Sequence, residues 1–524
     1  MKPLFFKTGC RHFAAIAAGL LLAGAFPKFG VAGFAWVAPA LILFAARGQN
    51  SCDAFRVGYV AGISFWLASL YWLLLIPVSG FPILGWISLA AFLALFTAAW
   101  VWLLAGKIGE GSWARRNLWS LLGAAIWVAL EMIRTRIFGG FPWNFIGVSQ
   151  FKLVPLIQIA SVTGVYGISF LVVWASLSFF SAARMVFAKP DSRFAWQPEI
   201  FLPLLVVAGL FAFGEMKLNG QNPAASTMRI TIIQPSVPQN LIWDESQNTN
   251  RFQQLLLLSE NALTNKTGLL VWPEAAVPEL SANNYVAITN LIRTHHVWMI
   301  FNADDVVPRP DATNEYDNDD FNAAFLFDPD GNCAAIYHKQ KLVAFGEYIP
   351  LVRWLPFVKW FTPITGGYET GNSPVQFEMN DLKIKTAPLI CFEDTFPQLA
   401  RKSVRDDTDF LVNLTNDGWF GRSAQQWEHM ANAIFRAVEN GVPLVRACNN
   451  GVTCWIDANG RVREMFKNGT GDVYGVGAMT FELPLQSHAQ TFYNRHGDWF
   501  GWGCVGVASL IFIRKIIKKK NPIT

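Results

Sequence analysis

The segment Ala387-Pro388-Leu389-Ile390-Cys391-Phe392-Glu393-Asp394 decides how this chain is interpreted. A short apolar run of β character ends on a cysteine and two acidic residues follow, which predicts a strand that delivers Cys391 into a turn. A lone cysteine is more often a buried core residue than a nucleophile. Two other predicted strands also end on charged residues, Glu274 and Lys339, so Cys391 does not stand alone.

Taken in chain order, Glu274, Lys339 and Cys391 resemble the catalytic Glu-Lys-Cys set of the nitrilase, or carbon–nitrogen hydrolase, superfamily. Three later segments also follow that superfamily's pattern: Asn413–Phe420, Arg436–Asn440 and Arg446–Gly451. The resemblance implies an α/β domain of the α-β-β-α sandwich type.

The choice of lysine rests on a local pattern. Tyr337, Lys339 and Leu342 fit the superfamily sequence Tyr-x-Lys-x-x-Leu, whereas Lys341 does not. We therefore assign the catalytic role to Lys339.

These three residue types are suited to acyl transfer. The thiol of Cys391 would attack an acyl carbonyl and hold the acyl group as a thioester. Glu274 would be the general base, with its pKa raised by partial burial. Lys339, with a backbone N–H near Phe392, would stabilise the negative oxygen of the tetrahedral intermediate.

Further motifs resemble the bacterial apolipoprotein N-acyltransferases, in which a nitrilase-like domain is joined to a multi-span membrane region. They are Gln234–Gln239, Leu342–Pro350, Phe141–Asn144 and Gly164–Ser169. By this resemblance Glu347, Glu393 and Trp243 would support the site or the access of substrate.

Two departures and one open choice accompany this resemblance. Ala344 stands where the family commonly has proline, and Phe392 stands where it often has tyrosine. Phe392 is therefore assigned a packing role beside the nucleophile. Trp419 and Phe420 are either core residues or residues that contact the acyl chain.

The composition indicates a membrane protein. Of 524 residues, 52% are hydrophobic and only 15% are charged, and the mean hydropathy is +0.29. This is too apolar for an ordinary soluble enzyme. Seven scattered cysteines indicate neither a disulfide scaffold nor a zinc site. Whether Cys448 and Cys454, on either side of a hairpin signal, form a disulfide is left open.

Eight stretches are long enough, or nearly so, to cross a bilayer. They are residues 10–26, 31–46, 58–76, 83–105, 118–134, 157–183, 199–215 and 498–514. The first could be a cleaved signal peptide, but a tight turn into the second favours a retained helix. We expect seven transmembrane helices in residues 1–220, a catalytic domain in 225–490, and a final helix with a basic cytoplasmic tail in 498–524.

The distribution of lysine and arginine predicts the orientation. Most basic loop residues fall on the side of the basic N-terminus, which should be the cytoplasm. The opposite loops are poorer in basic residues: Lys28 lies in one of them, and Arg134, Arg136 and Lys152 are exceptions to the pattern. The resemblance then implies a multi-pass protein of the bacterial inner membrane, with its catalytic domain in the periplasm.

Two loops of this domain carry their own expectations. Asp304–Asp320 is acidic and rich in asparagine, and we expect an exposed mobile loop. Residues 354–361 are unusually apolar, so they either pack on the core or form a lid that dips into the membrane.

The combined interpretation is a membrane acyltransferase. It would take a fatty acyl chain from a phospholipid and pass it to the N-terminal amine of an S-diacylglyceryl-cysteine apolipoprotein. We expect no metal, nucleotide or other cofactor, since no glycine-rich phosphate loop joins a strand to a helix. We also expect a monomer and no nucleic-acid partner. One rival is a membrane-tethered amidase. Another is a transporter or lipid-binding scaffold, for which Glu131 would be the clearest charged residue within a span.

Overall fold

The computed structural model describes residues 8–77, 82–105, 111–188, 194–220, 226–242, 244–264, 266–277, 279–309, 317–350, 352, 367–485 and 490–520. These residues divide into two units. The helical unit contains the residues up to Leu74, those from Ile83 to Gly220, and those from Arg495 onward. The α/β unit contains the residues from 226 to Asn494 and a short segment that begins at Leu75.

The helices of the described residues run through both units. They are α1 (Thr8–Ala23), α2 (Ala38–Ala45), α3 (Ser51–Ser69), α4 (Pro82–Leu104), α5 (Trp113–Arg134), α6 (Val154–Ile157), α7 (Ala160–Thr163), α8 (Val165–Ala188), α9 (Gln197–Asn219), α10 (Gln239–Ile242), α11 (Asn248–Ala262), α12 (Ala282–His295), α13 (Pro397–Ser403), α14 (Gln425–Asn440), α15 (Phe492–His496) and α16 (Trp499–Lys520).

The helical unit contains helices that fit a bilayer. Among the described residues, three helices are long and apolar enough to cross a membrane: α4, α8 and α9. The predicted span at 31–46 is not one continuous helix, because a 3-10 turn at Ala32–Trp36 precedes the eight-residue α2. Pro39 lies in the first turn of α2 and has no N–H to continue a helix backwards. The count of eight spans therefore stays a prediction.

The α/β unit is built on twelve described strands. They are β1 (Ser226–Gln234), β2 (Leu269–Val271), β3 (Trp298–Pro308), β4 (Asn318–Phe327), β5 (Cys333–His338), β6 (Phe377–Met379), β7 (Ile384–Ile390), β8 (Phe410–Thr415), β9 (Leu444–Cys448), β10 (Cys454–Ile456), β11 (Val462–Met465) and β12 (Gly477–Leu485).

These strands form two six-stranded sheets. The first has the order β12-β1-β2-β3-β4-β5 and the second has the order β11-β10-β9-β8-β7-β6. The strands β1, β2 and β3 are parallel to one another, and so are β7, β8 and β9. Parallel neighbours end at the same edge of a sheet, which brings the residues after β2 to one edge and those after β7 and β8 to another.

Apolar side chains fill two layers of the α/β unit. One layer lies between the sheets, where Trp455 and Phe481 stack with ring centroids 5.7 Å apart. The other lies between the first sheet and the helices α11 and α12. The helices α13 and α14 pack on the second sheet. The nitrilase-like fold with two sheets is thereby confirmed.

The prediction of a mobile loop at Asp304–Asp320 was wrong at both ends. Residues 304–308 belong to β3 and residues 318–320 to β4, and the two strands pair from Asp304↔Asn322 to Pro308↔Asn318. Most of these side chains are at least partly exposed, so the segment carries no hydrophobic alternation that would indicate a strand. Residues 310–316 lie outside the described residues.

Cys448 and Cys454 are both free thiols. In the hairpin register Cys454 pairs with Arg446, two residues before Cys448, so the two cysteines do not face each other across the strands.

A core substitution tests the packing of the first sheet on its helices. Phe301 is fully buried and stacks on Phe325 with ring centroids 5.4 Å apart. We expect Phe301→Ala to lower the free energy of unfolding of this unit by about 3–5 kcal/mol because it removes buried apolar contacts and leaves a cavity. Thermal unfolding of the full chain should show a lower Tm than the matched control Val286→Ala, whose side chain is 55% exposed. Equal Tm values would contradict this packing.

Candidate active site

The strand β7 delivers Cys391 to the edge of the second sheet. Cys391 is the first residue of a 3-10 turn that ends at Thr395. Its φ of +54° lies in the left-handed region, which a non-glycine residue rarely adopts. Such strain persists only where surrounding contacts hold the backbone, and it is common at reactive residues.

Lys339 follows β5 and is almost completely buried, with 1% of its surface exposed. Its Nζ donates to Glu347 Oε1 at 2.6 Å and to Glu274 Oε1 at 3.3 Å. The fold therefore brings together Glu274 and Lys339, two predicted site residues that lie 65 residues apart in the chain. Glu347, predicted only as a supporting residue, is the closer partner of the ammonium group.

Glu274 is held by amide groups as well as by Lys339. Its Oε2 accepts the backbone N–H of Asn416 at 2.9 Å, and its Oε1 accepts Asn322 Nδ2 at 3.3 Å. The same Asn322 Nδ2 donates to Glu347 Oε1 at 2.9 Å. Asn322 thus bridges the two carboxylates that share Lys339.

The charges around the thiol set its resting state. Burial and the carboxylate of Glu274 raise the pKa of Cys391 well above its ordinary value, although Lys339 opposes them. Burial lowers the pKa of Lys339, but the carboxylates of Glu347 and Glu274 outweigh it and raise that pKa well above the ordinary value. A neutral thiol, an ammonium group and a nearby carboxylate are the components of a base-assisted nucleophile with an oxyanion stabiliser.

Glu393 ties the lysine loop to the turn of the nucleophile. Its Oε1 accepts the backbone N–H groups of Gln340 and Lys341 at 2.7 and 3.0 Å. Its Oε2 accepts the Tyr337 hydroxyl and the backbone N–H of Ile390, both at 2.8 Å. Burial raises the pKa of Glu393 to about 7. The residue is fully buried, and its contacts position Lys339 and Cys391 relative to each other.

Two side chains hold the carbonyl of Cys391. Asn413 Nδ2 donates to this oxygen at 3.0 Å, and His429 Nε2 lies 3.2 Å from it. In a planar trans peptide the N–H of Phe392 points away from that carbonyl. The two contacts therefore fix the direction of the backbone N–H that is the expected second donor to the oxyanion.

His429 sits in a buried network of charged groups. Its Nε2 lies 2.7 Å from Asp394 Oδ1, and its Nδ1 lies 2.9 Å from Asp417 Oδ1. Arg446 Nη2 donates to Asp417 Oδ2 at 2.8 Å. Burial would lower the pKa of His429, but Asp394 and Asp417 raise it to about 9 against the opposing charge of Arg446. A pKa of about 9 favours the charged imidazole at neutral pH, and Nδ1 also lies 2.7 Å from Arg446 Nη2.

The remaining predicted residues differ in what the structure describes of them. Phe392 packs edge-on against Phe396 with ring centroids 5.0 Å apart, in keeping with a packing role. Trp419 is half-buried in the 3-10 turn Asp417–Phe420. Trp243 and residues 354–361 lie outside the described residues. Among the residues that are described, no three His, Cys, Asp or Glu side chains are arranged to hold a metal ion.

Sequence reasoning missed the roles of Asn322, Asn413, Asn416 and His429. One signal was present: Asn413 is an amide inside the apolar run of β8, where a buried amide needs hydrogen-bond partners. Asn322 follows the polar start of β4 and did not stand out in this way. His429 gave no such signal, because it lies on α14 and meets Cys391 only through the fold.

Comparison with known proteins gives a consistent result along the chain. Residues 18–178 match the family model described as apolipoprotein N-acyltransferase N-terminal domain, and residues 229–473 match the one described as carbon-nitrogen hydrolase. The chain is 34% identical to apolipoprotein N-acyltransferase of Geobacter metallireducens, over 97% of this chain and 96% of that protein. It is 29% identical to the protein of the same name from Rickettsia prowazekii, over 88% of this chain and 90% of that protein.

A crystal structure of a nitrilase-superfamily member from Saccharomyces cerevisiae also aligns with part of the chain. The identity is 16% and the TM-score is 0.37, over 50% of this chain and 92% of that protein.

Substituting the two neighbouring lysines separates the catalytic candidate from its neighbour. Lys339→Met should lower the rate of acyl transfer by about 10²–10³-fold, because it removes the charge that we expect to stabilise the oxyanion. Lys341→Met should change the rate little, since its ammonium group lies 5.4 Å from the ring centroid of Phe396 and touches neither carboxylate of the site. Steady-state rates of both full-length variants provide the measurement. Equal losses would contradict the assignment.

Replacing His429 tests whether its contact with the carbonyl of Cys391 orients the backbone N–H of Phe392. His429→Leu should lower the rate of acylation of Cys391 by about 10²-fold, whereas His429→Gln, which keeps a donor, should lose less. Alkylation of Cys391 by iodoacetamide forms no oxyanion. The rate of this alkylation should therefore be similar in the His429 variants and the wild type. A parallel loss of alkylation would mean that His429 only maintains the fold.

The charge of His429 gives this residue a distinct pH dependence. In the wild type the acylation rate should fall as the pH rises above about 9, because loss of the imidazolium charge weakens its contacts with Asp394 and with the carbonyl of Cys391. His429→Gln has no such charge to lose and should lack this step. The same alkaline step in both proteins would assign it to another group.

Proposed function

Since this chain belongs to the apolipoprotein N-acyltransferase family and is an enzyme that N-acylates lipoproteins, we propose that it works through an acyl thioester on Cys391. Glu274 is the general base and Lys339 stabilises the oxyanion. The observation that carries the proposal is the buried contact of Lys339 with Glu274, beside a thiol whose pKa both charges influence.

The first half-reaction takes an acyl chain from a phospholipid. Glu274 accepts the thiol proton as the sulfur of Cys391 attacks the ester carbonyl. Lys339 and the backbone N–H of Phe392 stabilise the tetrahedral oxyanion. The intermediate collapses to the thioester, the bond to the glycerol oxygen breaks, and Glu274 returns the proton to that oxygen. A lysophospholipid leaves.

The second half-reaction consumes the thioester. The free α-amino group of an S-diacylglyceryl cysteine attacks the same carbonyl while Glu274 accepts a proton from the nitrogen. The C–S bond breaks, the amide forms, and the proton returns to the sulfur of Cys391. Both substrates are lipids, so a site from which water is excluded favours the amine over hydrolysis.

We further infer the membrane arrangement from the pattern of the sequence. Eight spans would place residues 225–490 in the periplasm, above the inner membrane that supplies both lipids. The helices α4, α8 and α9 support a membrane location by length and composition. Fusion of a reporter enzyme to a loop of the α/β unit, and separately to the C-terminal tail, tests this orientation. The two reporters should lie on opposite sides of the membrane.

Trapping the acyl-enzyme tests the reaction. After incubation of the full-length protein with phospholipid alone, intact mass spectrometry should show one added fatty acyl group that hydroxylamine removes. Cys391→Ala should carry none. Cys333→Ala, which replaces an exposed free thiol, should be acylated like the wild type. A diacylglyceryl lipopeptide should then discharge the thioester and gain the acyl mass.

Two results would contradict the proposal. An adduct that persists in Cys391→Ala would place the acyl group elsewhere. A wild type that forms no adduct, yet releases ammonia from simple amides, would indicate an amidase.

A further inference from the structure

The strand β3 carries an aspartate, Asp304, that the proposed reaction does not use. Ile300, Asn302 and Asp304 alternate along this strand, so their side chains lie on one face of the first sheet. That face is turned to the second sheet, because Ile300 belongs to the apolar layer between the sheets. Ile300 and Asn302 are buried, whereas Asp304 is exposed. The row of side chains therefore runs from the core to the surface.

The middle of this row belongs to the candidate active site. Asn302 Nδ2 donates to Asn322 Oδ1 at 2.6 Å, and Asn322 is the amide that bridges Glu274 and Glu347. In the antiparallel register Asp304 pairs with Asn322. Side chains of such a pair lie on the same face, with Cβ atoms about 4.5–5.5 Å apart. Asp304 is thus the neighbour of the residue that holds both carboxylates, on its solvent side.

Tyr368 fixes the direction of this aspartate. Its hydroxyl donates to Asp304 Oδ1 at 2.8 Å. The backbone around the tyrosine is itself held by the site: the N–H of Tyr368 donates to the carbonyl of Glu347 at 2.9 Å, and the N–H of Gly371 donates to the carbonyl of Lys339 at 2.8 Å. Asp304 and Tyr368 are therefore both anchored to residues that surround the catalytic lysine.

The charges that act on Asp304 are mostly negative. Partial burial raises the pKa of Asp304, the hydrogen bond from Tyr368 lowers it, and the carboxylates of Asp320, Glu347 and Glu274 raise it further. Among the described residues no lysine, arginine or histidine is ion-paired with Asp304. A group of carboxylates attracts cations, and a carboxylate with a raised pKa accepts a proton more readily than an ordinary aspartate.

The acceptor substrate of the proposed reaction is such a cation. An α-amino group has an ordinary pKa of about 7.7–8.0, so an N-terminal amine is mostly ammonium at neutral pH. Ammonium has no lone pair and must lose one proton before its nitrogen can attack a thioester. The proposed role of Glu274 covers only the second proton, which leaves during the attack. The reaction therefore has a place for a first proton acceptor beside Glu274.

We propose that Asp304 binds the α-ammonium group of the acceptor and takes its first proton. One N–H bond breaks, the proton moves to a carboxylate oxygen of Asp304, and the nitrogen keeps the electron pair with which it attacks the thioester on Cys391. Glu274 accepts the second proton, and Asp304, which is exposed, releases the first to solvent. The inference rests on the proposed function, which makes a lipoprotein amine the acceptor.

Discharge of a preformed thioester tests this step apart from the first half-reaction. Full-length enzyme is acylated with phosphatidylglycerol, a diacylglyceryl lipopeptide is added, and loss of the acyl-enzyme is followed by intact mass spectrometry, corrected for hydrolysis without lipopeptide. At about pH 6.5 Asp304→Asn should discharge about tenfold more slowly than the wild type, or slower still. At about pH 9 the amine is already mostly neutral, and the two rates should agree within about twofold. Asp304→Glu should recover part of the loss.

Asp305→Asn is the matched control. Asp305 is the adjacent aspartate, but its side chain lies on the opposite face of β3, where its Oδ2 is 2.7 Å from His338 Nε2. This variant should discharge like the wild type at both pH values. In Asp304→Asn, the acylation of Cys391 by phosphatidylglycerol and by phosphatidylethanolamine should proceed at the wild-type rate, because neither donor reaction consumes an ammonium group.

Several results would overturn the inference. Equal discharge rates of Asp304→Asn and the wild type at about pH 6.5 would remove this residue from the reaction. An equal loss at both pH values would leave it a structural role. Slower acylation by phosphatidylethanolamine alone would assign Asp304 to the ammonium group of a donor lipid.

A second variant covers a failure to fold. If Asp304→Asn does not fold, an unchanged discharge rate in Tyr368→Phe at the lower pH would overturn the inference, because this change removes the hydrogen bond that directs the carboxylate. A wild type that forms no acyl-enzyme would refute the proposed function and this inference with it. A thioester that forms, and that the lipopeptide discharges equally in the wild type and in Asp304→Asn, would refute the inference alone.

Discussion

The burial of Lys339 between two carboxylates is the interaction on which the catalytic unit depends. The residue is 1% exposed, and its ammonium group contacts Glu347 and Glu274. Removing one partner of a buried ion pair typically costs about 3–5 kcal/mol, so the fold must keep all three groups in place. The surrounding amides do this: Asn322 bridges the carboxylates and the N–H of Asn416 anchors Glu274.

The two carboxylates, Glu347 and Glu274, differ in their contacts with Lys339. Glu347 is closer to the ammonium group and also accepts the backbone N–H of Val343 at 2.8 Å, so it is committed to holding the lysine loop. Glu274 is at a longer distance from Lys339, which suits the role of general base that we propose for it. His429 and Asn413 hold the backbone carbonyl of Cys391.

Much of this unit could be predicted from the sequence, because strand-end motifs report on local chemistry. Lys339 directly follows β5 and Cys391 directly follows β7, in agreement with the predicted strand ends. The strand β12 was missed although its residues alternate between buried and exposed, and the strand ends of β3 and β4 were missed because they are polar. Contacts such as that of His429 with Cys391 depend on tertiary packing, which no local pattern encodes.

The helical unit shows why two arginines did not fit the lysine and arginine distribution that predicts the membrane orientation. Arg134 and Arg136 seemed exceptions to the positive-inside distribution, but Arg134 is buried over aromatic rings and Arg136 is hydrogen-bonded to Asp498. Neither is a free loop charge. Interior cations do not report on orientation in the way that exposed loop residues do.

The central claim is that Cys391 rests as a neutral thiol and needs Glu274 to remove its proton. Infrared difference spectroscopy of the wild type against Cys391→Ala at neutral pH measures the S–H stretching band of this residue directly. A site in which burial and Glu274 raise the thiol pKa predicts that the band is present at neutral pH. Its absence would show a resting thiolate, which needs no general base, and would contradict the claim.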